Sequence, residues 1–215
     1  DSFDELDDKF FESLFLLANR KKPKKTFFTP YPFQKKIVKD AIVGFKTNNR
    51  GKVIAACGTG KTLMSLWINE KMHSKNTLIV VPSLWLVKQT LEMWSDQAIK
   101  DFRYLCVCSD PTVSQEIDDG DIEIGEIPVP VTNNPEEIAK FIKGKETVPK
   151  YIFSTYNSLV KIENSFSKSG SKFSFDLIIF DEAHRTAGGI EKKFFTLGLE
   201  NSKIKSDKRL FMTAT

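Results

Sequence analysis

Cysteine, histidine and long apolar runs are all scarce in this chain, and each shortage excludes a class of protein. Three cysteines occur in 215 residues, an odd number, and Cys106 and Cys108 share one strand-like run. Such cysteines form no disulfide framework and imply a reducing, cytoplasmic setting. His73 has no partner at metal-ligand spacing, which leaves zinc without a ligand set. No apolar run approaches the roughly 20 residues of a membrane span, and the acidic opening DSFDELDD is unlike a signal peptide. Charge of one sign is also in short supply. A net +4 permits nucleic-acid binding but lacks the dense basic patch of a dedicated binder. There is no internal repeat. The expectation is a soluble intracellular chain without membrane contact. Its 40% apolar content suffices for one compact α/β domain with a short extension.

Two regions divide the chain. Residues 1–30 hold a leader, with Leu6, Phe10, Leu14 and Leu17 at helical spacing over residues 4–18. The basic run Arg20-Lys21-Lys22-Pro23-Lys24-Lys25 follows; it reads as a solvated linker, with a grip on a phosphate backbone as the alternative. Residues 31–215 alternate helix and strand patterns. Ile37, Val38, Ala41, Ile42 and Phe45 mark one helix face, and the runs KVIAA, TLIVV, YLCVC, YIFST, DLIIF and RLFMT read as strands. Short continuous apolar strands between helices predict a parallel sheet with helices on both faces. Ligands then belong at the carboxyl ends of the strands. Between Asp110 and Glu137 there are nine acidic residues and no lysine or arginine, so the stretch 110–126 reads as an exposed insertion. Asn134-Pro135-Glu136-Glu137 then predicts a helix start, with an N-cap, a proline in the first turn and acids beside the helix dipole.

Two motifs carry chemistry. Ala55-Ala56-Cys57-Gly58-Thr59-Gly60-Lys61-Thr62 lies directly after the KVI strand and before a helix. Glycines let backbone amides turn around a phosphate, and the helix N-terminus adds partial positive charge. Lys61 is placed to reach the β- and γ-phosphates of ATP, and the Thr62 hydroxyl to bind Mg²⁺. Alanine stands where the usual first glycine of the loop would be, at position 55. The second motif, Asp181-Glu182-Ala183-His184, follows the strand DLIIF. A carboxylate at a strand end facing a phosphate loop suits metal binding, and a neighbouring carboxylate can orient and deprotonate a water.

With these two motifs in place, the chain resembles superfamily 2 helicases and translocases from about residue 31 onward. Tyr31-Pro32-Phe33-Gln34 resembles the adenine-reading glutamine motif, although the arginine often found at its head is Tyr31 here. ACGTGKT resembles motif I, VPSLWLVKQT motif Ia, and Ser154-Thr155-Tyr156-Asn157-Ser158-Leu159 the next nucleic-acid-contacting motif. DEAHR resembles motif II, and Thr213-Ala214-Thr215 motif III. The detailed flavour is most similar to motors of restriction-modification enzymes, with RNA helicases and nucleotide-gated scaffolds as alternatives.

The resemblance implies a RecA-like P-loop lobe and a set of roles. Gln34 would bond adenine, with Phe33 or Phe28 stacking nearby. Cys57, Gly58, Thr59, Gly60, Lys61 and Thr62 would cradle the phosphates. Thr62 and Asp181 would hold Mg²⁺, partly through water, and Glu182 would serve the catalytic water. His184, Thr213 and Thr215 would couple the nucleotide to the nucleic acid. Ser83, Gln89 and Thr155 would touch its backbone, duplex DNA being favoured over RNA. It further implies that a second RecA-like lobe of the same polypeptide follows, and that these residues alone form a nearly inactive monomer. Trp85 and Trp94 read as core residues of an amphipathic helix, and Cys57 as a small residue packed beneath the loop.

Overall fold

The computed structural model describes residues 25–108, 131–145, 147–169, 173–182 and 197–214. The expected leader helix, all of the basic run before Lys25, the acidic stretch 110–126, His184 and Thr215 lie outside these residues.

The chain begins with α1 (Pro32–Thr47) and β1 (Arg50–Ile54), then α2 (Lys61–Lys71), β2 (Asn76–Val81), α3 (Leu84–Gln97) and β3 (Arg103–Val107). After residue 130 come β4 (Val131–Thr132), α4 (Pro135–Lys143), β5 (Lys150–Thr155), a 3-10 turn (Tyr156–Ser158), α5 (Leu159–Ser169), β6 (Phe175–Phe180) and β7 (Ser206–Thr213). The strands form a seven-stranded sheet in the order β1-β7-β6-β2-β5-β3-β4. Every neighbouring pair is parallel. All six runs read as strands are strands. The seventh, β4, has two residues, too few to show any periodicity.

Strand β2 shows why the sheet needs two covers. Residues Thr77 to Val81 are all buried. Side chains alternate across a strand. Ile79 and Val81 accordingly join Val38, Met64, Leu91 and others on the face covered by α1, α2 and α3. Leu78 and Val80 join Ile138, Ile142, Leu159 and Ile162 on the face covered by α4 and α5. The first face centres on Trp94, which is fully buried. Its ring stands edge-on to Tyr151 at 5.4 Å and to Phe153 at 5.7 Å between centroids. Trp85 corrects the sequence reading, being 49% exposed. It precedes Trp94 by nine residues, about 180° of helical phase, so the two cannot share a buried face.

The helix ends follow local chemistry. Asn134 Oδ1 accepts from the Glu136 amide at 2.9 Å, and Pro135 occupies the first turn, as the motif predicts. Ser83 Oγ accepts from the Leu86 amide at 3.3 Å and starts α3. Because all strands are parallel, the carboxyl ends of β1, β2, β5, β6 and β7 lie along one edge of the sheet, and the motifs of the sequence lie there with them.

Candidate functional site

The phosphate-loop segment begins where β1 ends. The Ala55 amide donates to the Thr213 carbonyl at 3.0 Å, which ties the loop's first residue to the last residue of β7. A turn then closes on Ala56, whose carbonyl accepts from the Thr59 hydroxyl at 2.7 Å and from its amide at 3.4 Å. This leaves Cys57 and Gly58 at the corners of the turn, so Cys57 is exposed and does not pack beneath the loop. Gly58 has φ 76° and Gly60 φ 81°, left-handed values that cost other residues strain. Space excludes a side chain at Gly60 as well. A Cβ there would lie 2.7 Å from the Gln34 amide nitrogen. Lys61 and Thr62 then open α2.

The acidic motif begins where β6 ends. The Asp181 amide donates to the Val80 carbonyl at 2.8 Å, and the Asp181 Oδ1 accepts from the Glu182 amide at 2.9 Å. Glu182 has φ 49°, an uncommon backbone for a side chain of its size, at a position where the chain must turn sharply off the strand. The turn brings the two motifs together. Lys61 Nζ lies 3.1 Å from Glu182 Oε1 and donates to the Ala55 carbonyl at 3.4 Å. Both side chains are largely buried, Lys61 at 8% exposed. The sequence reading placed the ammonium at the phosphates; the structure also gives it a carboxylate partner within the protein.

Gln34 makes two bonds within the protein. Its side chain is only 4% exposed. Oε1 accepts from the Tyr31 amide at 2.8 Å, while Nε2 donates to the Thr59 carbonyl at 2.8 Å. An amide has two donors and two lone pairs, so one of each is already committed to the protein. The first of those bonds caps α1, and the second braces the phosphate loop. Phe33 sits outside, half-exposed, with its ring parallel to that of Tyr31 at 6.1 Å. Replacing Gln34 by alanine should therefore weaken ATP and GTP binding together. Titration of both nucleotides against parent and variant checks this; a loss confined to ATP would mean that Gln34 acts through the adenine and not through the loop.

Of the remaining expected residues, Thr155 ends β5 and its hydroxyl lies 2.9 Å from that of Ser158. Gln89 is exposed on α3, and Ser83 serves as that helix's N-cap. Thr213 is buried and meets the phosphate loop through its carbonyl. The structure thus gathers Gln34, the loop, Asp181, Glu182 and Thr213 into one constellation. Ser83 and Thr155 stand at the ends of the paired strands β2 and β5.

One contributor was missed. The Tyr156 hydroxyl donates to the Asp181 carbonyl at 2.8 Å and joins the turn after β5 to the acidic motif. A buried tyrosine needs a partner for its hydroxyl, but the sequence does not say which.

The donor set suits Mg·ATP. Thr62 and Asp181 offer hard oxygens, and Mg²⁺ commonly takes only one or two protein oxygens beside phosphate and water. The glycine turn, into which a Cβ at position 60 would intrude, suits a phosphate cradle.

A family model described as "Type III restriction enzyme, res subunit" matches residues 27–215. The chain belongs to that family. Among curated proteins it resembles a "Probable helicase A859L" of African swine fever virus (isolate Tick/South Africa/Pretoriuskop Pr4/1996), with 32% identity over 183 residues. That match covers 85% of this chain and 19% of the viral protein, so the chain spans about a fifth of its relative's length. Among solved structures it resembles the "ATP-dependent Type ISP restriction-modification enzyme LlaBIII bound to DNA", at TM-score 0.75 and 31% identity over 89% of this chain and 13% of that one. A nuclease-deletion mutant of the Type ISP enzyme LlaGI, in complex with a DNA substrate mimic, gives TM-score 0.70 and 31% identity over 87% of this chain and 18% of that one. The Sulfolobus solfataricus SWI2/SNF2 ATPase core in complex with double-stranded DNA, at 17% identity and TM-score 0.57 over 90% of this chain and 34% of that one, shares the fold. By fold and family this is the RecA-like first lobe of a superfamily 2 helicase or translocase, of restriction-modification type.

Proposed function

We propose that this lobe binds Mg·ATP at the carboxyl edge of its sheet and drives movement of a larger polypeptide along duplex DNA. The observation that carries the reading is the meeting of Lys61 and Glu182 at 3.1 Å, two motifs far apart in sequence joined at one strand-end site. Lys61 and the amides of residues 58–62 would hold phosphates. Thr62 and Asp181 would hold Mg²⁺, which neutralises phosphate charge when bound. Glu182 is the group that would orient the attacking water and accept its proton. For that it must exchange its contact with Lys61, which is then freed towards the phosphates.

Thr213 and Tyr156 join this site to its surroundings. Thr213 touches the loop through its carbonyl, and Tyr156 binds Asp181 from the turn that follows Thr155. Thr155, Gln89 and residues near Ser83 would meet the sugar-phosphate backbone, a contact that carries little sequence preference. DNA is favoured because both similar Type ISP structures are described with DNA or a DNA mimic. His184 and Thr215 keep their coupling roles in this proposal, as does a second RecA-like lobe supplied by the same polypeptide.

The test is ATP hydrolysis by the complete protein containing this lobe, measured with duplex DNA, single-stranded DNA and RNA. Duplex DNA is expected to stimulate turnover most. Stimulation by RNA alone would overturn the DNA assignment, and turnover indifferent to every nucleic acid would overturn the motor reading.

A further inference from the structure

Four of the large apolar side chains left exposed among the described residues gather in one place. Phe27, Phe28, Val43 and Ile99 line a groove of about 1040 Å³, with Val43 54% and Ile99 71% exposed. Its floor is Val38, Ile42 and Trp67, and its walls are residues 27–30, the outer face of α1 and the ends of α2 and α3. Lys35, Lys39, Lys46 and Lys71 also line it, against the single acid Glu70. Contiguous exposed apolar surface of this kind marks an interaction site. The groove lies away from the constellation of Lys61, Asp181 and Glu182, none of which lines it.

We propose that the occupant is the chain's own leader, residues 4–18, docked as an amphipathic helix. Three observations favour it over other occupants.

The first is the position where the leader joins the described chain. Lys25 Nζ donates to the Ser95 carbonyl at 2.7 Å, and the Phe28 amide donates to Gln97 Oε1 at 2.7 Å. Gln97 Nε2 returns a bond to the Thr26 carbonyl at 3.3 Å. Residues 25–28 are thereby fastened to the end of α3, at the rim of the groove. Residues 19–24 can span up to roughly 20 Å when extended, about the length of the helix itself, so the leader can fold back onto the groove.

The second is shape chemistry. Leu6, Phe10, Leu14 and Leu17 form one stripe at helical spacing, while Asp4, Glu5, Asp8 and Glu12 take the other side together with Phe11, Phe15 and Leu16. A stripe of leucine and phenylalanine suits a channel floored by valine, isoleucine and tryptophan.

The third is charge. Residues 1–18 carry six acidic side chains and one lysine, against four lysines and one glutamate in the groove. The attraction acts over a Debye length of about 8–10 Å, roughly the diameter of a docked helix.

Hydrogen–deuterium exchange on the full chain tests the proposal, using the parent, Val43→Asp in the groove and Leu14→Asp in the leader. Val43 is exposed, so its replacement leaves the core intact. In the parent, amides of residues 6–17 should exchange at least about tenfold more slowly than an unfolded peptide. Both substitutions should remove that protection, while β2 and β6 keep theirs. Leader amides unprotected in the parent would overturn the proposal. Protection that survives Val43→Asp would place the leader elsewhere and overturn it equally. Protection that fades on dilution would show a second copy in the groove, and so refute docking within one chain.

Discussion

Alanine in place of Lys61 lowers ATP turnover by about 10²–10³-fold, the loss expected when one preorganised donor is removed from a site where charge develops. A second effect follows from the ion pair with Glu182. Truncating Lys61 removes one charged partner of a largely buried carboxylate, and a hydrogen bond to a charged group contributes about 1.5–3 kcal/mol. The variant Lys61→Ala should therefore melt below the parent. Adding Glu182→Gln removes the carboxylate charge that Lys61 balanced and should restore part of the melting temperature while leaving turnover low. Glu182→Gln alone should slow turnover, because an amide cannot accept the proton of water. Steady-state ATPase assays of the complete protein and thermal melts of each variant check the set. Normal turnover in Lys61→Ala would remove the phosphate-loop assignment. A double variant that melts no higher than Lys61→Ala would mean the ion pair contributes nothing to stability.

Replacing Trp94 by alanine has the largest expected effect on stability. The ring is fully buried between α3 and the sheet and meets Tyr151 and Phe153 edge-on. Removing a buried tryptophan costs about 3–5 kcal/mol, from lost transfer energy and the cavity left behind. In a chain of this size each kcal/mol lowers the melting temperature by about 2–4 °C, so a fall of roughly 6–20 °C is expected. Trp85→Ala, at an exposed site on the same helix, serves as the control and should change it by less than about 2 °C. Equal falls for both would show that Trp94 is not the anchor of this face.

The sequence made the fold legible where burial is two-sided. Strands such as β2 carry continuous apolar runs, Leu78 to Val81 here, because helices cover both faces, and that pattern survives in the bare letters. Strand β4 escaped notice because two residues have no period. The helix starting at Pro135 was readable because its cap, proline and acids are neighbours in the chain. The two tryptophans of α3 were assigned together to the core, and only one is there, because composition records the residue and phase decides its face. The site was legible as a set of motifs, each following a strand. Its internal bonds were not. The bond from Gln34 to Thr59 and the one from Tyr156 to Asp181 cross between segments that only the fold brings together. A motif pattern states which residues are present, and the partner of a buried amide or hydroxyl depends on three-dimensional proximity.

The parallel sheet has a mechanical consequence. Ser83 and Thr155 stand just after or at the ends of β2 and β5, which are paired along six residues. A pull along the strands at Ser83, resisted at the opposite end of β5, loads the ladder between them in shear. In shear the hydrogen bonds share the load and must yield nearly together, whereas a pull across the sheet would open them one at a time. The central ladder should thus act as a stiff beam under axial tension, and compliance should reside in the turns at its ends.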